Sequence, residues 1–324
     1  MEKSIWVQVP SRAPLFELKG AISAFFVYNI SMNILYCGDR GIAHGVLISI
    51  LSLLKCNSGV LHIYIMTIDL EDTKPFTDKS TKFLDELVRK VNPKSFVKKI
   101  DATEIFVKEL PKWNMKSYFT PCSMLRLYLD RVSEIAKLDR ILYMDYDVVC
   151  RGSILKFYDT DLTGVEVAGI LDIYGRRFYK YHGILKRKND KNLIDAREEK
   201  EWSILKQDYM NSGVMLFNIP ECIKSGCLRK AVDLCARRWM MLADQAALNK
   251  AISRRKLMPR RYNEQEERPR KNTVLHHFSN NFKFWPYFRV QKVKPFEIDK
   301  VHHVLKIIEY DDILDKYNKL KNNL

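Results

Sequence analysis

From Asn33 onward the chain alternates between two hydrophobic periods, and this alternation narrows the fold more than any other feature. "NILYC" is a short buried run, and "IAHGVLISILSLLKC" carries apolar residues at helical spacing. "VLHIYIMTI" is β-branched and strand-like. "FTDKSTKFLDELVRKV" is an amphipathic helix with Thr77 or Asp78 as its cap. "SFVKKID" is a third strand, "SMLRLYLDRVSEIAKL" another helix, and "RILYMD" a fourth strand. Strands alternating with helices imply an α/β fold with a parallel, doubly wound sheet and right-handed crossovers. Ligands bind such sheets beyond the carboxyl ends of the strands. Two of those ends carry acids: Asp39 after "ILYCG", and Asp145 with Asp147 after "RILYM".

Further on the pattern is less regular. "EVAGILDIY" reads as a strand ending at Asp172, and the polar, basic stretch from Gly175 to Lys200 as a loop with a helical piece. "YMNSGVMLFNIP" is a strand that begins near Asn211 and Gly213 and gives way to a helix at Pro220. "LADQAALNKAI" is a short helix with Asp244 and Gln245 in its first turn. "RRYNEQEERPRKN" is a solvated loop, "TVLHHF" a late strand, and "DKVHHVLKIIEYDDILDKYNKLKNNL" a polar helical tail. A chain of 324 residues suffices for one large α/β domain or two smaller ones. There is no GxGxxG and no GxxxxGK[ST], so the dinucleotide and P-loop readings have no support.

Residues 1–31 differ from the rest. "AISAFFVYNI" is apolar, but no basic cluster precedes it and no A-x-A-like cleavage site follows, so it is not a signal peptide. Met32 is expected to be the natural start, or else residues 1–31 form a loosely attached extension. No apolar segment has the length of a membrane-spanning helix. Seven scattered cysteines without a CxxC pair read as reduced thiols of a cytoplasmic protein. Net charge is +16, and residues 229–301 hold 18 Lys+Arg against 7 Asp+Glu. Such a patch suits nucleic acid, an anionic membrane surface or a phosphate-bearing substrate, with a solvated basic face as the plain alternative.

Side chains at i and i+2 of an extended segment point the same way, so Asp145 and Asp147 converge at the end of a buried strand. Two carboxylates so close stay ionised cheaply only with a cation or a shared proton between them. Oxygen ligation with an open face suits Mg²⁺ or Mn²⁺ bridging to phosphates. A bare pair of this form is weak evidence, and Asp159 with Asp161 supplies another that lacks a preceding strand. One class with acids so placed is the haloacid-dehalogenase-like phosphatases, since "ILYMDYDVV" fits hydrophobic residues followed by DxDx[TV], with Asp311 and Asp312 as late acids. Against it, that motif belongs to the first strand of its domain, and at least three strand signals precede it here. A basic, non-enzymatic nucleic-acid binder is a further alternative and predicts salt-sensitive RNA binding.

Seven segments together point elsewhere: "YCGDRG…ISILSLL", "FTPCSMLRLYL", "RILYMDYDVVCRGSI", "GILDIY", "YMNSGVMLFNI", "ADQAALN" and "HHFSNNFKFW". In this order, over roughly residues 33 to 285, they resemble glycosyltransferase family 8. These are retaining bacterial galactosyl- and glucosyltransferases of the lipopolysaccharide type, related to glycogenin. The resemblance implies a single Rossmann-like nucleotide-sugar-binding domain of GT-A type over residues 32–285, with a mostly parallel mixed sheet. A basic, aromatic and helical C-terminal tail would follow over residues 286–324.

The resemblance also implies site residues. Asp39 would hold the uracil or ribose of a UDP-sugar, and Arg126 would reach the donor. Asp145, Asp147 and His277 would ligate Mn²⁺ or Mg²⁺, although His276 is adjacent. Lys283 would contact the diphosphate, while Asp172 and Asn211 would hydrogen-bond the donor sugar. Asp244 and Gln245 would lie near the anomeric carbon. The implied partners are a UDP-hexose donor, a glycan or glycolipid acceptor and, through "FKFWPYFRVQKVKPF", the inner membrane face; no nucleic acid is expected. Three positions depart from the family pattern: Gly41 replaces a frequent asparagine, and Asn280 and Phe284 replace the Gly and Pro of the "HFxGxxKPW" motif.

Overall fold

The computed structural model describes residues 31–115, 120–173, 208–240, 242–279, 281–283, 289–291 and 293–324. The expectations for the first 30 residues, the Gly175–Lys200 loop, Asn280 and the aromatic stretch 284–288 lie outside the described residues.

The first half follows the alternation. Strand β1 (Ser31–Cys37) leads into helix α1 (Ala43–Cys56), then β2 (Val60–Thr67), helix α2 (Asp78–Val91) and β3 (Phe96–Asp101). Thr77 caps α2 by accepting a hydrogen bond from the Ser80 amide at 3.0 Å. Alternation along β1 divides the core between the two faces of the sheet. Ile34 and Tyr36 pack with Val46, Leu47 and Ile50 of α1. Leu35 and Cys37 face the opposite layer, with Met124, Leu125 and Tyr128.

One expected helix is corrected. "SMLRLYLDRVSEIAKL" does not run continuously. Residues Pro121–Tyr128 form a 3₁₀ helix, and only one α-turn, Ser133–Ala136, follows an extended Val132. A tighter coil and a break suit what this segment carries, because Arg126 must reach the sheet and its Nε already donates to the Ser123 carbonyl at 2.8 Å.

The second half makes the sheet mixed. Strand β4 (Arg140–Met144) pairs parallel with β1, and β5 (Val148–Cys150) follows after a three-residue turn. Beyond them come β6 (Val167–Leu171) and β7 (Met210–Asn218). Asn218 accepts from the Glu221 amide to cap a short helix, Ile219–Ser225, which Gly226 ends at φ +67, a left-handed position that costs glycine nothing. Helix α3 (Cys227–Arg237), helix α4 (Ala243–Ala251), β8 (Arg255–Leu257) and β9 (Leu275–His277) follow. The seven-stranded order is β3-β2-β1-β4-β7-β6-β8, with β7 antiparallel to both β4 and β6. β4 is therefore the strand at which the parallel half meets the antiparallel half. Near the C-terminus β10 (Asn281–Lys283) and β11 (Arg289–Gln291) form a two-stranded ribbon. Helix α5 (Asp311–Leu320) places Ile313, Leu314 and Tyr317 in the same core as α1.

Candidate active site

β4 delivers Asp145 to the middle of the sheet's carboxyl edge, where its amide donates to the Gly213 carbonyl of β7 at 2.8 Å. The chain turns through Tyr146 and Asp147 into β5, which pairs antiparallel with β9 in the register Val148↔His277. That register sets His277 beside the aspartates. Its Nε2 lies 3.5 Å from Asp145 Oδ2 and 3.4 Å from Asp147 Oδ1. One ligand atom from each of the three falls within 4.8 Å of the others.

The tautomer follows from the neighbours. Asn263 Nδ2 donates to Asn211 Oδ1 at 2.9 Å, which leaves Asn263 Oδ1 as an acceptor for His277 Nδ1–H at 3.1 Å. The Nε2 lone pair is thereby aimed between the carboxylates. Asp147 Oδ1 is buried with no hydrogen-bond partner among the described residues, an arrangement that is costly unless a ligand completes it. Bonds of about 2.1 Å in an octahedral ion give adjacent ligands roughly 3 Å apart. Two carboxylates and one imidazole at these spacings therefore fit Mn²⁺ or Mg²⁺. His276 takes a different part: Nδ1 meets the Tyr310 hydroxyl at 2.8 Å and Nε2 the Glu266 carbonyl at 2.9 Å, and burial pushes its pKa down to about 4. It is a satisfied core histidine.

Two glycines make the room. A Cβ at Gly213 would stand 2.2 Å from His277 Cε1 and 2.9 Å from Asp145 Oδ2. A Cβ at Gly45 of α1 would stand 2.7 Å from the Tyr146 carbonyl oxygen. Neither glycine was singled out as a site residue from sequence, yet isolated glycines inside a strand and a helix are the recognised mark of close approach.

Arg126 is buried, not a surface arginine. Its Nη2 donates to Asp145 Oδ1 at 3.2 Å, Nη1 to the Ser212 carbonyl at 2.6 Å, and Nε lies 3.1 Å from Asp244 Oδ2. The guanidinium also stacks over Tyr143 at 3.9 Å, and the Tyr143 hydroxyl donates to the same Asp145 oxygen at 2.5 Å. Burial raises the Asp244 pKa against the opposing pull of Arg126. Ala243, just before it, sits at φ +30, a strained value for a residue with a side chain.

A polar chain continues from the triad. Beyond His277 and Asn263, Asn211 Nδ2 donates to Asp172 Oδ2 at 3.1 Å, and Gln245 Nε2 donates to the same oxygen at 3.1 Å. Gln245 Oε1 accepts from the Ser212 amide at 2.9 Å and hydroxyl at 3.2 Å. Residues 172, 211, 244, 245 and 277, far apart in sequence, thus belong to one buried cluster around Asp145.

Asp39 is half-buried beyond β1, where its Oδ1 accepts from the Gly41 amide at 2.8 Å. A Cβ at Gly41 would crowd that oxygen at 2.9 Å. Lys283 ends β10, and its side chain lies outside the described part. Asp161 caps the Thr163 amide in an exposed loop, as expected of an incidental acid. Asp311 pairs with His302 at 2.8 Å and Asp312 with Lys55 at 2.7 Å, so these acids serve the outer surface of α5 instead of completing a phosphatase site. Sequence reasoning missed Lys294. Its ammonium is ion-paired with Asp147 Oδ2, and no local pattern marks it. Burial pushes the Asp147 carboxyl up, but the Lys294 ammonium paired with it outweighs burial and holds it well below the usual carboxylate range.

The family model described as Glycosyl transferase family 8 matches residues 33–288. Among curated proteins, the chain is 26% identical over 208 residues to the lipopolysaccharide 1,3-galactosyltransferase of Salmonella typhimurium, covering 62% of this chain and 52% of that protein. It is 26% identical over 249 residues to the lipopolysaccharide 1,2-glucosyltransferase of Escherichia coli, covering 73% and 62%. The matched part thus spans between half and two thirds of these relatives' length. Among solved structures, galactosyltransferase LgtC in complex with donor and acceptor sugar analogs superposes with a TM-score of 0.60 at 15% identity, over 90% of this chain and 100% of that one. The bifunctional glycosyltransferase WbbM gives a TM-score of 0.60 at 15% identity, over 84% and 51%. These structural likenesses carry the GT-A-like fold.

Proposed function

The chain belongs to glycosyltransferase family 8, and from that premise we propose that it is a metal-dependent, retaining hexosyltransferase. It moves glucose or galactose from a UDP-sugar to a hydroxyl of a glycan or glycolipid. The observation that carries this reading is the hydrogen-bonded continuity between the Asp145–Asp147–His277 triad and Gln245 through Asn263, Asn211 and Asp172. It joins the candidate cation site to a contiguous set of buried polar groups.

Asp145, Asp147 and His277 hold Mn²⁺ or Mg²⁺. When bound, the ion supplies positive charge against the diphosphate as it departs. Asp39 takes the uracil or ribose, and Lys283 is the lysine assigned to the diphosphate. Asp172 and Asn211 orient the sugar hydroxyls. Arg126 acts from behind the site by fixing Asp145 and Asp244, since its Nε and both Nη atoms already donate to the protein. Asp244 and Gln245 lie beside the anomeric carbon. An ordinary retaining glycosidase would bring two carboxylates to that carbon, and Gln245 occupies the place of one. We therefore favour front-face attack: the acceptor oxygen bonds to the anomeric carbon as the carbon–phosphate oxygen bond breaks on the same face. The acceptor proton passes to the leaving phosphate oxygen. Basic residues toward the C-terminus suit peripheral contact with an anionic membrane. No helix among the described residues is long and apolar enough to cross one.

The stereochemical part is tested by proton NMR of the free sugar released slowly from UDP-glucose or UDP-galactose in Mn²⁺ without acceptor. The α-anomer is expected first, before mutarotation. Initial β-anomer contradicts retention, and release that survives EDTA contradicts the metal requirement.

A further inference from the structure

Asp147 presents its two oxygens to two different partners. Oδ1 is buried, faces His277 Nε2 at 3.4 Å and has no hydrogen-bond partner among the described residues. Oδ2 carries the Lys294 ammonium. Lys294 is not a passing surface contact: its side chain is 21% exposed, and its Nζ stands 5.3 Å over the Tyr146 ring. Its backbone is pinned as well. The Lys294 amide donates to Glu297 Oε2 at 2.7 Å, and the neighbouring Val293 is buried. A single positive charge is thus built into the wall of the site, on the carboxylate that a divalent ion must share.

We propose that Lys294 is a tethered counter-cation that makes metal binding depend on the donor's diphosphate. This rests on the metal reading given above. Asp145 shares the Arg126 cation with Asp244, and Lys294 neutralises the charge of Asp147 before any ion arrives. A free divalent ion therefore meets a carboxylate already satisfied on one side and a fixed like charge close by, which weakens its binding. A diphosphate reverses the balance. Its negative charges are attracted by both the ion and Lys294, so ion and nucleotide reinforce each other. Lys294 is a positioning residue on this account. It sets the order in which the site fills and need not touch the reacting carbon.

The test is calorimetric titration of the full chain with Mn²⁺ alone and with Mn²⁺ in saturating UDP, for wild type, Lys294→Met, Lys294→Gln and Lys294→Arg. Thermal melts of each variant establish that it is folded. Lys294→Met and Lys294→Gln are expected to bind Mn²⁺ alone about tenfold more tightly than wild type, and to lose about tenfold of the tightening that UDP confers. Lys294→Arg keeps the charge and is expected to behave as wild type does. If wild type binds Mn²⁺ and the neutral variants, folded, bind it no more tightly, the role of Lys294 is overturned while the metal site stands. If no form binds Mn²⁺ with or without UDP, the metal reading fails and this inference with it.

Discussion

Gly213→Ala is expected to leave a folded protein with its metal-dependent activity reduced by at least ~10²-fold. The added Cβ would stand 2.2 Å from His277 Cε1 and 2.6 Å from Nδ1, where packed carbons need roughly 3.5 Å. Two shifts relieve the overlap. The imidazole can swing away from Asn263, losing the hydrogen bond that fixes its tautomer, or β7 can move and drag Asp145 through the 2.8 Å bond to the Gly213 carbonyl. Either one opens the spacing of the triad. The overpacking itself costs about 1–3 kcal/mol, tolerable for a domain with so large a core. Gly152→Ala is the control, since a Cβ there would meet nothing nearer than Val274 Cγ2 at 3.9 Å. The check is UDP release over a Mn²⁺ titration, with melting temperature beside it. Near-wild-type Gly213→Ala activity would show that His277 does not need this position.

Asp147→Asn is the second large effect. The amide keeps the shape but gives up the charge, and the ion loses one of its three protein ligands. Activity is expected to fall by at least ~10³-fold. The same change leaves the Lys294 ammonium in a mostly buried place without its counter-charge, at a cost of about 3–5 kcal/mol at the upper end for a broken buried pair. The double variant Asp147→Asn with Lys294→Met separates the two consequences. It is expected to recover much of the lost melting temperature and none of the activity. Recovery of activity in the double variant would mean that the ion is not held by Asp147.

Local periodicity made much of the fold legible. Strands β1 to β4, helices α1 and α2 and the Thr77 cap lie where apolar spacing and capping chemistry put them. Periodicity is silent on which strands pair, so the insertion of β7 between β4 and β6, and the change of direction it brings, came only with the structure. The 121–136 segment shows a different limit. Its apolar spacing suits a helix, but the demand that Arg126 reach Asp145 and Ser212 prevailed. At the site, Asp145, Asp147 and His277 were named in advance, and the geometry brings them together. Their supports were not. Gly45 and Gly213 left a readable sign, a glycine inside a regular element, whereas Lys294 reaches Asp147 across 147 residues and Asn263 reaches Asn211 across 52, and neither leaves one.

The central claim is that this triad binds a divalent ion together with a UDP-sugar. The most direct measurement is the melting temperature of the protein against a panel of nucleotide sugars, each with and without Mn²⁺. UDP-glucose or UDP-galactose is expected to raise it by several degrees in Mn²⁺ and by little or nothing in EDTA, because only binding to the native state shifts the equilibrium. No metal-dependent stabilisation by any UDP-sugar would contradict the claim.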